Sequence, residues 1–253
     1  MYDKVYAFWE GVCKRIGICS KRRYPTDLEK WERANYKRGL FPTHSLRNRK
    51  MYDVAYAFCE EACTRLGIDT SHDVSHMARV AHITAVLNAK CGKAVTQEEE
   101  NVMILAAFTH DLCDRKYVEP DSELLTIRTW LLSLVTEDQC DAVLKIITTM
   151  SYSKVSKCGY PTDLGKWELA YHHTRVADLI DAYSLRRCYE YQTHANPEMA
   201  ELDKWAAVAD LFESRVFTQK DRYILPVCPY AADIVEPLHA EAVEAVSLLK
   251  RLA

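Results

Sequence analysis

The stretch Val102-Met-Ile-Leu-Ala-Ala-Phe-Thr109 is an apolar run that leads directly into the pair His110-Asp111. Two other segments place polar groups beside apolar positions at helical spacing: Ser71-His-Asp-Val-Ser-His-Met-Ala-Arg-Val80 upstream, and Arg175-Val-Ala-Asp-Leu-Ile-Asp181 downstream. Helical bundles build metal sites in their cores from imidazoles and carboxylates that project inward from separate helices. The three segments therefore predict a helical bundle with a metal site in its core.

The composition favours the same fold class. The chain has 253 residues, enough for one full-sized domain and an extension, and 49% of them are hydrophobic, so it can bury a sizeable core. Its 7 glycines and 8 prolines fall mostly between the periodic segments, and strict alternation of apolar and polar residues over the length of a strand is hard to find. We expect an all-α fold.

The sequence also bears on compartment and partners. It has no run of about 18 apolar residues to span a bilayer, and its first residues lack the apolar core of a signal peptide. We therefore expect a soluble protein, cytoplasmic or otherwise intracellular, without a membrane partner. Its 10 cysteines form no Cys-x-x-Cys pair, so we expect reduced thiols rather than disulfides or a cysteine zinc site.

Charge is distributed unevenly along the chain. Residues 1–50 hold 13 Lys and Arg against 5 Asp and Glu, whereas residues 51–253 hold 20 against 31. A basic extension of this kind is typical of an arm that binds nucleic acid or another acidic surface. It can equally dock on the acidic body of its own chain.

The extension is made of copied pieces. Residues 1–18 match residues 51–68 at 11 positions, and residues 20–34 match residues 156–170 at 11 positions. The two matched pieces lie far apart in the body and do not recur at a fixed period, so they do not indicate a solenoid. The copy omits the segments with the candidate metal ligands and cannot form the metal site.

These observations predict two parts of the chain. We interpret residues 1–50 as an extension left by recombination, with a dedicated binding arm as the alternative, and residues 51–253 as the self-sufficient unit. An arm seated in the equivalent groove of a second copy would give a homodimer, held in part by opposite charge.

Helix boundaries follow from capping signals and from the apolar spacing. Thr96 and Thr136 each open a segment with a glutamate or glutamine three residues later, the pattern of a capping box. The predicted helices span about 51–67, 73–90, 96–111, 121–135, 137–150, a long segment from Thr162 or Asp163 through Asp178, 198–217 and 231–251.

The chemistry of the candidate ligands favours an open metal site. Two imidazoles and two carboxylates supply four positions, which leaves room on an octahedral ion for water and substrate oxygens. A mixed nitrogen and oxygen set suits manganese, cobalt, iron or nickel, with magnesium and zinc also compatible, and we favour manganese. The sequence thus predicts a divalent metal cofactor.

Four short segments carry the candidate site residues: His72-Asp-Val-Ser-His-Met-Ala-Arg-Val80, His110-Asp-Leu-Cys-Asp-Arg-Lys116, Ile146-Ile-Thr-Thr-Met-Ser-Tyr-Ser-Lys154 and Ala177-Asp178. Their order resembles the pattern of the HD-domain superfamily, which is His, then His-Asp, then Asp. Over about residues 51–185 the chain is similar to the small bacterial HD-type nucleoside triphosphate pyrophosphohydrolases. The resemblance implies a metal-dependent phosphohydrolase that releases pyrophosphate or phosphate from a nucleotide.

The resemblance also implies roles for individual residues. The metal ligands would be His76, His110, Asp111 and Asp178. His76 is preferred over His72 because the family's ligand stands three residues before an Arg-Val pair.

Further residues would act on the substrate or on the ligands. Asp114, one turn after Asp111, would be the catalytic acid or base, with orientation of a ligand histidine as the alternative. Charged donors that would meet phosphate oxygens are Arg79, Lys116 and Lys154. Arg79 can instead pair with a carboxylate, both lysines can be solvated, and Asp181 is read as a supporting or capping carboxylate.

Two other functions remain open from the sequence. A di-iron oxygenase on the same scaffold would need extra histidines, for which His72 and the pair His172-His173 are the spare candidates. A binding or regulatory protein would use the metal structurally and engage nucleic acid through the basic arm. Aromatic residues suited either to base stacking or to packing are Tyr117, Tyr152, Tyr160, Trp167 and Tyr171.

Overall fold

The computed structural model describes residues 46–251, which form helices joined by turns with no strand among them. The prediction of an all-α fold is confirmed. Of the predicted extension, residues 1–45 lie outside the described residues. The predicted boundary after residue 50 falls inside the first described helix. In the part of the chain that is described, every helix is too short or too polar to cross a membrane.

Ten helices, numbered here in chain order, position the candidate site. They are α1 (Leu46–Leu66), α2 (Val74–Lys90), α3 (Gln97–Thr109), α4 (Pro120–Leu132), α5 (Glu137–Thr149), α6 (Tyr152–Cys158), α7 (Glu168–Asp181), α8 (Leu185–Ala195), α9 (Glu201–Leu211) and α10 (Ala232–Lys250).

Local capping fixes where the central helices begin. Thr96 and Glu99 form a reciprocal capping box at the start of α3, in which each side chain bonds the backbone N–H of the other residue. Thr136 and Gln139 form the same box at the start of α5. These contacts satisfy backbone N–H groups that a helix start leaves without partners. The helix starts expected at both threonines are confirmed.

The long helix predicted to begin at Thr162 or Asp163 is placed too early. Gly165 has a φ of 54°, a conformation that an α-helix cannot contain. Residues Gly165–Trp167 form a single 3₁₀ turn, and α7 begins only at Glu168.

Two short helices were absent from the sequence prediction. Helix α6 buries only Val155, and α8 buries only Cys188 and Tyr189. Helix α6 has only seven residues, too few to show a helical period, whereas α8 is amphipathic and was missed by the sequence prediction.

Helix α3 lies at the centre of the described region. Residues 102–109 are all buried, which explains why this run is apolar on every side rather than along one stripe. The helix packs against α1, α2, α5 and α7, and α2 also packs against α7. Three helices that carry candidate ligands are thus mutual neighbours.

The helix predicted over 198–217 changes its hydrogen-bonding pattern after α9. Phe212–Val216 and Lys220–Ile224 are π-helical turns, separated by the short α-helical stretch Phe217–Gln219. The second π-helical turn contacts α7. Such turns are rare in proteins and often lie at functional sites.

Candidate metal centre

The predicted ligands come from three helix ends. His76 is the third residue of α2, and its backbone N–H and that of Ser75 donate to the side chain of the N-cap residue Asp73. His110 is the C-cap of α3. Asp178 lies in the last turn of α7. Because these helices pack on one another, the three ends meet.

Distances within the cluster are short. The Nε2 atoms of His76 and His110 are 3.1 Å apart. Asp111 Oδ2 lies 3.3 Å from each of them. Asp178 Oδ1 lies 3.6 Å from His76 Nε2 and 3.8 Å from His110 Nε2. The structure thus brings all four predicted ligands together. The atoms of His76, His110 and Asp178 lie within 4.8 Å of one another, and this group can hold a metal ion.

Hydrogen bonds fix the tautomer of both imidazoles. His110 Nδ1 lies 2.8 Å from the carbonyl oxygen of Ala107, and His76 Nδ1 lies 2.7 Å from Asp181 Oδ2. A carbonyl and a carboxylate only accept, so in each ring Nδ1 carries the proton and donates it. In the neutral rings the two Nε2 lone pairs then face each other across 3.1 Å. Such a pair requires a proton or a cation between its nitrogens.

The donor set fits a divalent ion. Atoms about 2.1 Å from a common ion are about 3.0 Å apart at right angles and about 3.4 Å apart at the tetrahedral angle. The separations of 3.1 and 3.3 Å among His76, His110 and Asp111 fall in that range, whereas Asp178 Oδ1, at 3.6 and 3.8 Å from the two imidazoles, lies slightly outside it. Asp111 Oδ2 is buried without a hydrogen-bond partner among the described residues, as expected of an atom that serves as a ligand.

The electrostatics of the cluster attract positive charge. Burial lowers the pKa of His110, but the carboxylates of Asp111 and Asp178 outweigh burial and raise it to about 9. Burial also acts to raise the pKa of Asp111, yet the imidazoles of His110 and His76 hold it well below its ordinary value. A metal ion therefore competes with a proton for this site, and metal binding should strengthen as the pH rises.

Asp181 supports the cluster from behind. Its buried carboxylate accepts from His76 Nδ1, from Arg79 Nε at 2.8 Å and from Arg79 Nη2 at 3.2 Å. Arg187 Nη1 lies 3.7 Å from Asp181 Oδ2. Burial acts to raise the pKa of Asp181, but these donors together hold it far below its ordinary value. A carboxylate behind a ligand histidine orients the ring and increases its basicity. The supporting role read for Asp181 agrees with these contacts, whereas the substrate role of Arg79 stays a prediction.

Asp114 and Lys116 form a local pair beside the cluster. Lys116 donates its backbone N–H to Asp114 Oδ1 at 3.0 Å, and its ammonium lies 3.1 Å from Asp114 Oδ2. The Lys116 ammonium also lies over the rings of Tyr117 and Tyr191, at 5.4 and 5.3 Å from their centroids. Exposed Lys154 donates its ammonium to the carbonyl of Thr148. The catalytic role of Asp114 and the substrate roles of both lysines stay predictions.

Sequence reasoning missed Arg187. Its Nε donates to the backbone carbonyl of Ser71 at 2.7 Å, and its Nη1 lies 3.9 Å from Asp178 Oδ1. This guanidinium joins the loop before α2 to the end of α7. It lies on α8, a helix that the sequence prediction did not include, so Arg187 was not placed near the ligands.

His72 lies next to the cluster but outside the ligand group. It precedes α2, with Nδ1 2.6 Å from Ser71 Oγ and its ring edge-on to that of His76 at 6.1 Å. Burial lowers the pKa of His72 to about 4; Asp111 opposes that shift, while Arg187 and Lys116 add to it. A neutral His72 is therefore expected at neutral pH.

The other spare histidines lie elsewhere on α7. His173 Nε2 is 2.5 Å from the hydroxyl of Tyr230, and the ring of His172 is edge-on to Tyr160 and Tyr171. Neither histidine belongs to the ligand group found among residues 46–251.

Comparison of the chain with protein-family models, with curated proteins and with solved structures finds no match. The resemblance to the HD-domain superfamily therefore stays a hypothesis that rests on the motif.

Proposed function

We propose that this chain is a metal-dependent phosphohydrolase that acts on a nucleotide and releases pyrophosphate or phosphate. The observation that carries the proposal is the cluster of His76, His110, Asp111 and Asp178, in which two imidazole lone pairs and two carboxylates converge. The four residues would hold one divalent ion, with manganese favoured and cobalt, nickel, iron, magnesium and zinc as alternatives.

The donor set supports hydrolysis rather than a closed structural site. Four protein ligands leave positions on an octahedral ion for water and substrate. When bound, the ion lowers the pKa of water and neutralises phosphate charge. The side chains of Asp111 and Asp178 are 19% and 24% exposed, so the ligand group is open on the carboxylate side. The imidazole side is closed by Asp181 and Ala107.

Positive groups next to the cluster support a phosphorylated substrate. Arg187 Nη1 lies 3.9 Å from Asp178 Oδ1, and the charges of Arg187 and Lys116 both act on the pKa of His72, whose ring contacts that of His76. Guanidinium and ammonium groups are the donors that bind phosphate oxygens. In this proposal they orient the phosphate chain, and Asp114 beside Lys116 accepts or donates the proton in the transition state.

Aromatic groups around Lys116 and His72 favour a nucleotide over a simple phosphate ester. Tyr117 and Tyr191 flank the Lys116 ammonium and lie within ring contact of His72. Such rings can stack on a base.

A metal and substrate panel tests the proposal. The full chain, stripped of metal and reloaded with manganese, cobalt, nickel or magnesium, is incubated with nucleoside mono-, di- and triphosphates, and released phosphate and pyrophosphate are measured. We expect turnover with at least one metal, lost on chelation. The absence of turnover with every metal would contradict the proposal. Metal binding without turnover would favour the non-catalytic alternative.

Matched aspartate variants provide the control. Asp178→Asn removes a ligand charge and should abolish turnover. Asp53→Asn removes an exposed carboxylate of α1 that pairs only loosely with Arg49, at 4.0 Å, and should leave turnover unchanged. Equal loss in both variants would mean that the effect is not specific to the cluster.

A further inference from the structure

Arg175 is a buried cation without a counter-charge. The residue is 1% exposed, and none of its three guanidinium nitrogens has a hydrogen-bond partner among the described residues. Its Cζ lies over the rings of Tyr160 and Tyr223, at 5.4 and 4.9 Å from their centroids. Buried arginines are almost always paired, because removing the charge from water is unfavourable unless a partner replaces the water.

The groups around Arg175 are neutral. Burial raises the pKa of Tyr160 and of Tyr171, and the charge of Arg175 only partly opposes that shift. Burial lowers the pKa of His172. Phenol and imidazole side chains in these states supply no negative charge. Contact with aromatic faces compensates a buried guanidinium only in part, and the N–H groups at its edge remain unused.

Two hydroxyls near the guanidinium are unused as well. The Oη atoms of Tyr160 and Tyr223 are buried and have no hydrogen-bond partner among the described residues. The guanidinium and the two phenols together offer several N–H and O–H donors. Such donors form hydrogen bonds with the oxygens of an oxyanion, whereas a cation offers them no acceptor.

A series of contacts leads from the surface to this cluster. Arg215 is exposed, and its Cζ lies 4.1 Å from the ring centroid of half-buried Tyr152. Tyr152 is edge-on to Tyr223 at 5.7 Å, and Tyr223 carries Arg175. Tyr223 belongs to the π-helical turn Lys220–Ile224, and such turns are frequent at functional sites.

We propose that Arg175, Tyr160 and Tyr223 form an anion-binding subsite for the phosphate or carboxylate group of a small molecule. The planar guanidinium fork matches such a group through two parallel hydrogen bonds, and the phenols donate the others. Tyr152 and Arg215 form the outer layer through which the anion enters. The subsite stands independently of the proposed hydrolase activity. It lies on the same helix as the ligand Asp178, three residues away and thus on the same face.

Anion binding to the metal-free protein tests the subsite. The full chain in chelator is titrated with sodium phosphate and with sodium acetate against sodium chloride of equal ionic strength, by calorimetry and by thermal unfolding. We expect saturable binding of phosphate, of acetate or of both. A concentration of about 100 times Kd should raise Tm by about 5–10 °C. The absence of any anion-specific effect on the wild-type chain would overturn the proposal.

Substitutions locate the binding. Arg175→Met should abolish the anion effect, whereas the matched control Arg128→Met removes an exposed guanidinium that pairs with Asp141 and Glu137 and should leave it unchanged. An unchanged anion effect in Arg175→Met would overturn the proposal. Should that variant fail to fold, Tyr160→Phe combined with Tyr223→Phe gives the same readout and should weaken anion affinity about tenfold or more. Unchanged affinity in the double variant would equally overturn it.

One further variant separates this inference from the hydrolase proposal. Asp111→Ala removes a predicted metal ligand and should leave anion binding at Arg175 intact. Phosphate binding through Arg175 without turnover of any nucleotide would support the anion subsite and contradict the hydrolase proposal. Turnover without anion binding at Arg175 would contradict the subsite and support the hydrolase proposal.

Discussion

Two buried charges on α7 differ in how they are compensated. At its C-terminal end, the carboxylate of Asp181 is buried and bonded to His76 and Arg79, with Arg187 close by. About two turns earlier, Arg175 is equally buried but meets only aromatic rings and neutral side chains. One helix thus carries a compensated buried anion and an uncompensated buried cation.

The difference shows which groups belong to the fold and which await a ligand. An ion removed from water costs several kcal/mol unless protein groups replace the water. Asp181 has those groups, so its charge is part of the folded framework. Among the described residues, Asp111 Oδ2 and the guanidinium of Arg175 are buried without hydrogen-bond partners, and we infer a cation at the first place and an anion at the second. Unmet polar atoms, more than charge itself, mark the ligand positions.

The largest expected effect is at the metal cluster. Asp111→Ala removes one oxygen ligand and one negative charge, while the apolar packing around it is retained. We expect hydrolysis to be abolished and metal affinity to fall more than about 100-fold, since even residues behind the ligands are worth 10–100-fold. Metal content after dialysis, turnover and helical content by circular dichroism check this. Full activity under metal-limited conditions would mean that Asp111 is not a ligand.

The second effect separates a reacting group from a ligand. Asp114→Asn keeps the size of the side chain and its acceptor for the Lys116 N–H, but it cannot exchange a proton. We expect the metal to be retained and kcat to fall by roughly two to four orders of magnitude, the usual range for a lost general acid or base. Loss of the metal in this variant would reassign Asp114 to holding a ligand. Lys154→Ala, by contrast, should raise KM with little change in kcat.

A third experiment compares the buried charges of Asp181 and Arg175 directly. Asp181→Ala leaves Arg79, Arg187 and His76 without their acceptor, and we expect a loss of about 3–5 kcal/mol in the free energy of unfolding. Arg175→Met removes an uncompensated charge, and in buffer without phosphate or carboxylate it should cost much less or stabilise the protein. Urea unfolding of both variants measures the contrast. Equal losses would show that Arg175 is as well compensated as Asp181.

The four residues of the metal cluster could be selected from the sequence. His76, His110, Asp111 and Asp178 differ in type from the apolar positions beside them on three separate helical segments, and the segments meet because the helices pack on α3. The capping boxes at Thr96 and Thr136 are local, and local rules are sufficient to place them.

The remaining features depend on contacts between distant segments. Arg187 reaches the cluster from α8, a helix that was not predicted, and its contact with Asp178 joins segments that the sequence alone does not connect. Arg175 lies in the same sequence segment as Asp178 and Asp181. Only the structure shows that it is buried and that its guanidinium has no hydrogen-bond partner among the described residues. The late start of α7 depends on the positive φ of Gly165. In the sequence, a glycine at this position is compatible with either a loop or a helix start.

The smallest expected effect concerns two buried histidines, His173 on α7 and His72 before α2, whose protonation is disfavoured by burial. Burial lowers the pKa of His173 to about 4, with His172 and Lys93 acting in the same direction. The pKa of His72 is lowered to about 4 as well. In the unfolded chain both rings take up a proton near pH 6.5, whereas in the folded chain they do so only near pH 4.

Between those values the unfolded state binds more protons, so stability should fall as the pH drops from about 6.5 to about 4, by about 1.4 kcal/mol per pH unit for each histidine. His173→Gln should remove the contribution of His173, about 1.4 kcal/mol per pH unit, because glutamine does not titrate. The matched control His194→Gln changes an exposed residue and should leave the slope unaltered. Urea unfolding in chelator at pH 4.5, 5.5 and 6.5 measures it. An unchanged slope in His173→Gln would show that burial does not lower the pKa of His173 in the folded chain.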